Sequence, residues 1–490
     1  MMAACTALPK PDNSNSISDP PIMTRPAATT TSTDLTTGPL AGHFLRLAVP
    51  AAIGMVFSTI YNVVDVFFAG MLGTTAQAGL TIAFQCFFIF VTIGFGLGSA
   101  MTALVGHAIG GKRDSEARHM AAQGLGFSVI ASVGLVGLAL AGGPALIALI
   151  SASDSYRAAG TAYFLVLLFS LPSFVMAYGL NGILQAQGDT KSMQFALIGA
   201  CFANIGLNPL LVFGVPGLWA GIGFNGIATA TVISQTGVLA FILWRLWHSG
   251  IFRGCQAASF VPDLALYRQI LGQLIPTSFT MLVMFAAGFI VQIYLKSFGV
   301  AAVAAYGVAL RVEQLFLLPV FGLTGALLPI AAQNFGAGQP DRVRAALFTC
   351  WKFGWLFMLI ACPILFVAAK GLMRVFTDDP AVVEIGLRYL HIDGFILPIY
   401  MMLFAINSFL QALKRPVWTL VIGIYRQAFG VAFFSYVYVY HLGFGVVGIW
   451  YGIATSVLTG LLLSLALTDY AARPIIGGLF TRKILAPHRP

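Results

Sequence analysis

The sequence predicts an all-α polytopic membrane protein, with twelve transmembrane helices in two parallel six-helix repeats that form two lobes around a central cavity. Three observations predict it: a composition too apolar for water, an alternation of basic and non-basic loops, and an internal repeat. Of the 490 residues, 59% are hydrophobic and 9% charged, at a mean hydropathy of +0.90; a soluble domain carries about 25% charged residues. So few charges cannot cover a water-facing surface of this size, which excludes soluble enzymes, nucleic-acid-binding modules and secreted scaffolds. The 53 glycines suit helices packed closely inside a bilayer.

Taken in order, residues 1–42 are rich in Thr, Ser and Pro and lack a continuous apolar core. They read as a disordered cytoplasmic tail and not as a cleavable signal peptide. A hydrocarbon core ~30 Å thick takes ~20 apolar residues per helix. Hydrophobic stretches of that length fall near 44–70, 79–106, 122–149, 160–184, 193–214 and 223–244, and again near 274–297, 302–333, 346–369, 387–412, 417–439 and 445–469. The expected organisation is therefore an N-lobe over 43–250, a cytoplasmic linker over 251–272, a C-lobe over 273–470 and a cytoplasmic C-terminal tail over 471–490.

The net charge of +10 tests that count. With both termini in the cytoplasm, eighteen Lys and Arg residues fall in inside segments and five (Arg157, Lys296, Lys370, Arg374 and Arg388) outside. Lys352, Arg311 and Arg426 lie within spans. This is the asymmetry of the positive-inside rule, and dropping one span would scramble it. No nucleic-acid partner is needed to explain the basic balance.

The repeat runs at an offset of 226 residues. Pro50 matches Pro276, Gly96-Leu97 matches Gly322-Leu323, Gly110 matches Gly336, Tyr163 matches Tyr389, Leu171-Pro172 matches Leu397-Pro398, and Asn181 matches Asn407. Each half carries an even number of spans, so both insert with the same orientation. Parallel repeats of this kind build transporters whose two bundles rock against each other around a cavity. The six cysteines show no CxxC and the seven histidines no HExxH, so no disulfide framework, metal site or cofactor is expected.

An ionisable group inside a span is a functional candidate by default, since an aspartate at the bilayer centre costs ~2.5–3.5 kcal/mol on insertion scales. Asp65 in span 1 is the clearest. At a rise of ~1.5 Å per residue from the nearest basic anchor, Asp65 lies ~28 Å from Arg46, Asn204 and Asn208 ~20 and ~26 Å from Lys191, and Thr231 ~21 Å from Arg245. All four fall in the outer half of the first bundle, with Asn204 and Asn208 on one face of span 5. A carboxyl group among amide and hydroxyl oxygens can take up a proton or coordinate Na⁺, and burial without a fixed cation favours the protonated acid. This group is the expected coupling site for H⁺ or Na⁺, with no metal expected beyond that Na⁺.

Elsewhere in the spans, Arg311 and Glu313 are two residues apart and so point to different partners. Arg426 is one candidate mate for Glu313, while Asp393 is expected to be interfacial near the outer end of span 10. Tyr61, Asn62, Tyr178, Asn181, Met284, Arg311, Glu313 and Arg426 are candidates for a substrate cavity. Deformable thioethers and aromatic faces suit apolar or cationic ligands.

Several motifs resemble one family. The stretch from Asp65 to Gly73, the loop Gly106-His107-Ala108-Ile109-Gly110, and Gln185-Ala186-Gln187-Gly188-Asp189-Thr190-Lys191 are similar to MATE (multidrug and toxic compound extrusion) transporters. So are Asn204-Ile205-Gly206-Leu207-Asn208-Pro209, Gly226-Ile227-Ala228-Thr229-Ala230-Thr231, Arg311-Val312-Glu313 and Gln333-Asn334-Phe335-Gly336-Ala337-Gly338. The resemblance covers roughly residues 44–470. It implies alternating access and secondary active export of cationic or amphipathic drugs or toxic metabolites in exchange for H⁺ or Na⁺. It further implies a monomer in a bacterial inner membrane.

Within the resemblance, Asp65 matches the family's span-1 acid, Asn204 an asparagine partner of it and Thr231 a span-6 threonine. Two departures stand out. Asn208 occupies a position that is aspartate in some prokaryotic members, and Met284 and Tyr400 lie near where other branches place glutamate and aspartate. The C-lobe cation site of those branches is thus expected to be absent, which resembles the DinF-type branch and favours H⁺. The competing readings are a lipid-linked oligosaccharide flippase, which would need a more basic cavity, and a non-transporting membrane receptor or intramembrane enzyme. An enzyme would need a paired nucleophile and base or a metal cluster, and none is evident.

Overall fold

Apolar residues in runs this long fold as helices in lipid because the bilayer offers backbone groups no partner outside their own segment. In the computed structural model, residues 33–480 are described, and twelve helices among them are long and apolar enough to cross a membrane. They are α1 (Leu40–Met71), α2 (Thr74–Gly110), α3 (Asp114–Ile150), α4 (Asp154–Ala186), α5 (Lys191–Phe213), α6 (Phe224–His248), α7 (Leu264–Lys296), α8 (Val300–Gly336), α9 (Pro340–Phe376), α10 (Pro380–Ala412), α11 (Pro416–His441) and α12 (Gly445–Ile476). No β-strand occurs among the described residues, apart from a single isolated bridge between Val215 and Trp219. Residues 1–32 of the expected N-terminal tail and 481–490 of the C-terminal one lie outside the described residues; Thr33 to Pro39 are ordered ahead of α1.

The repeat is carried into three dimensions. Helices α2, α3 and α4 begin and end 226 residues before α8, α9 and α10, residue for residue. The loops after them keep the register too. Lys112 and Gly338 (φ 55 and 67), and Gly188 and Lys414 (φ 80 and 58), are repeat mates that turn the chain in the left-handed region. Glycine enters that region freely, whereas the two lysines occupy it against the strain of their Cβ atoms.

Two apolar clusters are buried, one mostly in each lobe, with the start of α1 packed into the C-lobe cluster and the start of α7 into the N-lobe one, and large side chains such as Val63, Phe67, Val133 and Leu359 are left exposed on the outside, as lipid requires. The lobes meet on the side of the molecule that carries the start of α1, called here the tail side. There Gly110 of α2 lies against the backbone of Gln333, and its mate Gly336 of α8 lies against the backbone of His107. Deeper in, Gly96 abuts Leu274 and Ser278 of α7, and its mate Gly322 abuts Ala48 and Ala52 of α1. The partners are themselves repeat mates, so the interface is a pseudo-two-fold crossing at which four glycines let backbones touch. Polar links reinforce it: Ser99 donates to Gln411, and Lys414 Nζ lies 3.1 Å from His107 Nδ1.

Candidate functional site

The first-lobe site is assembled from three helices. Asp65 lies six residues from the far end of α1, Asn204 and Asn208 nine and five from the far end of α5, and Thr231 seven into α6. At ~1.5 Å per residue these depths agree, at about 8 to 14 Å from the helix ends. The Asp65 carboxylate is fully buried. Its Oδ1 accepts from Asn204 Nδ2 at 3.0 Å and Asn208 Nδ2 at 2.9 Å. Its Oδ2 accepts from Thr231 Oγ1 at 3.2 Å. A further bond, from Asn208 Nδ2 to Asn204 Oδ1 at 2.9 Å, locks the two amides in one orientation. All four sequence-predicted coupling residues are therefore in one place.

The arrangement is chemically lopsided. The carboxylate has three donors and no ion pair, because no Lys or Arg among the described residues forms a salt bridge with it; Arg245, which pairs with Asp189 at 3.0 Å, is at the other end of α6. Donors stabilise the charged acid but do not neutralise it. The hydroxyls of Tyr61 and Tyr163 and the Asn208 carbonyl oxygen are buried without a hydrogen-bond partner. Such a site holds unused hydrogen-bonding capacity beside a charge that can be discharged by one proton.

Tyr61 and Thr231 also line a cavity in the N-lobe, together with Ser58, Asn62, Tyr178 and Gln235 and a wall of phenylalanines, Phe84, Phe87, Phe88, Phe95 and Phe174. Thr231 thus both donates its hydroxyl to the acid and borders the cavity. Tyr61, Asn62 and Tyr178 are where the sequence predicted a ligand cavity. Asn181 is buried outside its lining, and Met284 and Arg311 are partly or fully exposed away from it.

The second lobe corrects two expectations. Arg426 does not pair with Glu313; its guanidinium lies over the ring of Tyr400, 5.5 Å from the centroid, on a π-helical turn spanning Ile424–Gly430. The wider turn re-aims the side chain towards that ring. Glu313 instead accepts from the Tyr389 hydroxyl at 2.6 Å. Asp393 is not interfacial: it is 1% exposed. The cause is helix length, since α10 starts at Pro380, two turns before the apolar run, which carries Asp393 ~20 Å into the bundle.

Sequence reasoning also missed Gln333, Tyr163 and Tyr389, buried polar side chains at the lobe seam and beside the buried acids. The signal was present, since both tyrosines appear in the repeat alignment and Gln333 in a motif. What marks them is who they touch, which spacing does not report.

The fold has counterparts among known proteins. The MatE family model matches residues 50–210 and 276–437, one match in each half. The chain is 28% identical to the FAD transporter of Shewanella oneidensis, over 80% of this chain and 86% of that protein. It is 23% identical to a probable multidrug resistance protein, NorM, of Thermotoga maritima, over 85% and 89%. Among solved structures, it superposes on a MOP-superfamily transporter from Pyrococcus furiosus at a TM-score of 0.82 and 22% identity, covering 88% of this chain and 96% of that one.

Proposed function

The chain belongs to the MatE family of membrane transporters, and on that premise we propose that it is a secondary active exporter of cationic or amphipathic compounds, working by alternating access in antiport with H⁺. The observation that carries this reading is Asp65, fully buried, bonded to three neutral donors and paired with no cation. In such a place a charge is tolerated only while the donors are aligned, and a proton removes the need for them. Protonation frees Thr231 and the two amides to reorient. Because Thr231 and Tyr61 also border the cavity, that reorientation changes the surface a ligand meets. Proton uptake from one side and ligand release to that side are then linked through the same residues.

On this reading the tail side is cytoplasmic, both termini included, as the distribution of Lys and Arg supports. The N-lobe spans 43–250 and the C-lobe 273–470, joined by 251–272, in a bacterial inner membrane. The protein works as a monomer and catalyses no covalent step. One acid, two amides and a hydroxyl make a thinner Na⁺ site than two acids would, which favours H⁺. The cavity wall of phenylalanines, with no Lys or Arg in its lining, supports planar cations over a dinucleotide, whose pyrophosphate would find no positive partner there.

The test is ethidium efflux from proteoliposomes under a pH gradient and, separately, a Na⁺ gradient. Efflux driven by the pH gradient and lost in Asp65→Asn supports the reading. Efflux that follows the Na⁺ gradient alone, or persists unchanged in Asp65→Asn, overturns it.

A further inference from the structure

Two cations from opposite lobes converge on one nitrogen atom where the lobes meet on the tail side. Lys414, in the turn between α10 and α11, has its Nζ 3.1 Å from His107 Nδ1. Arg113, in the turn between α2 and α3, has an Nη 2.9 Å from the same Nδ1. Lysine and arginine can only donate, so Nδ1 accepts, and its single lone pair satisfies one such donor at a time. The acid beside them is Glu116 of α3, which accepts from Arg113 at 2.7 Å and is a charge neighbour of Lys414. Among the described residues Lys414 has no other hydrogen-bond partner. Donors outnumber acceptors here, and positive charge outweighs negative.

The repeat shows what this place lacks. The mates of His107, Arg113 and Glu116 are Gln333, Gln339 and Arg342, and the mate of Lys414 is Gly188. On that half of the seam the donors are met by the chain ahead of α1. Arg342 donates to the carbonyls of Leu35 at 3.4 Å and Thr37 at 3.2 Å, and Asn334 donates to the Leu35 carbonyl at 3.0 Å. Backbone oxygens therefore fill one half of a pseudo-two-fold cleft. Among the described residues no segment brings carbonyl oxygens to Lys414 in the other half, although the donors there are cations.

The backbone supplies a second observation. Lys112 and Lys414 are the two non-glycine residues of the described chain with positive φ, and their mates Gly338 and Gly188 adopt that conformation without strain. Lysine at position 414 is thus kept against the preference of its own backbone and beside a like charge. Strain of this kind persists where a function uses it. Repulsion between Arg113 and Lys414 opposes closure of the lobes, and an anion between them reverses its sign.

The donors select the anion. A guanidinium fork and an ammonium point charge together recognise phosphate oxygens, and a tetrahedral phosphate offers several oxygens to donors that otherwise compete for one nitrogen. His107 lies within one turn of the end of α2, and Lys414 just beyond α10, at the level of the headgroups. Basic pockets between transmembrane helices on the cytoplasmic side take anionic headgroups.

We propose that His107, Arg113 and Lys414 form an anion site across the tail-side seam, which takes a phosphate group and, when filled, holds the lobes closed on that side. The phosphate belongs to an anionic lipid headgroup or to free phosphate. Both lobes contribute donors, so the site is complete only in the closed arrangement, and binding shifts the protein towards it. The site goes beyond the exporter reading and does not depend on it; only its effect on transport does.

The experiment is a thermal melt of the purified full chain in dodecyl maltoside free of charged lipid. One arm adds inorganic phosphate against chloride at equal ionic strength; the other adds phosphatidylglycerol against phosphatidylcholine. The melting temperature is expected to rise saturably in at least one arm, and the arm that responds identifies the source of the phosphate. The rise is expected to be lost in Arg113→Gln and in Lys414→Gly and kept in Arg415→Gln, which removes a charge from the same turn but outside the site. Lys414→Gly also relieves the strained turn, so it covers the case in which the Arg113 variant fails to fold. Maleimide labelling of a cysteine placed at Leu35 is expected to slow when the effective ligand is added, and to stay unchanged in the Lys414→Gly background. No rise in either arm, an equal rise in Lys414→Gly, or a rise lost equally in Arg415→Gln would overturn the site. A rise without slower labelling would overturn the closure assigned to it.

Discussion

Gln333 donates from Nε2 to the carbonyl of Ala186 at 2.7 Å, tying the tail-side end of α8 in one lobe to the end of α4 in the other. The same side chain accepts from the backbone N–H of Leu35 at 2.9 Å, whose carbonyl accepts from Asn334 at 3.0 Å. Leu35 is fully buried, and two residues earlier Thr33 donates to the Gln187 carbonyl at 2.9 Å. The segment ahead of α1 is thus a strap laid across the seam between the lobes. The lobes cannot part on the tail side without breaking it.

Gln333→Ala removes two of these bonds at about 1 kcal/mol each, so the tail-side-closed state is expected to lose more than tenfold in population. Maleimide labelling of a cysteine placed at Leu35 should rise correspondingly. Labelling unchanged by Gln333→Ala would show that the strap does not restrain opening.

Gly110 and Gly336 press on backbone rather than on side-chain ends, so a larger residue there has nothing that can move aside. Gly110→Val and Gly336→Val are expected to cut ethidium efflux at least tenfold, each to a similar degree because the contacts are repeat mates. Both variants should still insert and purify, since the clash exists only with the lobes closed on this side. Efflux close to wild type in either would contradict the packing described.

Hydrogen bonds to a charged group contribute about 1.5–3 kcal/mol. Asn204, Asn208 and Thr231 stabilise the ionised form of Asp65 more than the protonated one, so removing a donor lets the protonated form persist to higher pH. Asn204→Ala and Asn208→Ala are expected to move the pH profile of efflux to the alkaline side by about one unit or more, at about 1.36 kcal/mol per unit. Thr231→Val, which removes the longest of the three bonds, should move it least. A shift to the acid side would contradict the geometry.

Burial, with the Arg113 guanidinium beside it, holds the Lys414 ammonium below the usual lysine range. Its charged form is therefore disfavoured in the folded state, a penalty present at neutral pH and relieved as pH rises through the lowered value. Its backbone is also in the left-handed region, where its repeat mate is Gly188. Lys414→Gly relieves both and is expected to raise thermal stability by about 0.5–1 kcal/mol net of the added chain entropy of glycine. The gain should shrink at high pH, as a thermal melt series would register.

Helix count, repeat, class of fold and the depth of Asp65 beside Asn204, Asn208 and Thr231 were legible in the sequence by itself. Each depends on hydropathy, fixed helical rise or residue-by-residue matching, which act along the chain and need no partner. The tertiary structure decided what those quantities do not contain. The neighbours of Arg426 and Glu313 depend on a π-helical turn in α11 and on which helix faces which, while Asp393 is buried because α10 extends beyond its apolar run. The strap at Leu35 and the Tyr389–Glu313 bond exist only where segments far apart in the chain meet, because a hydrogen bond is a matter of ångströms in space and leaves no period in the chain.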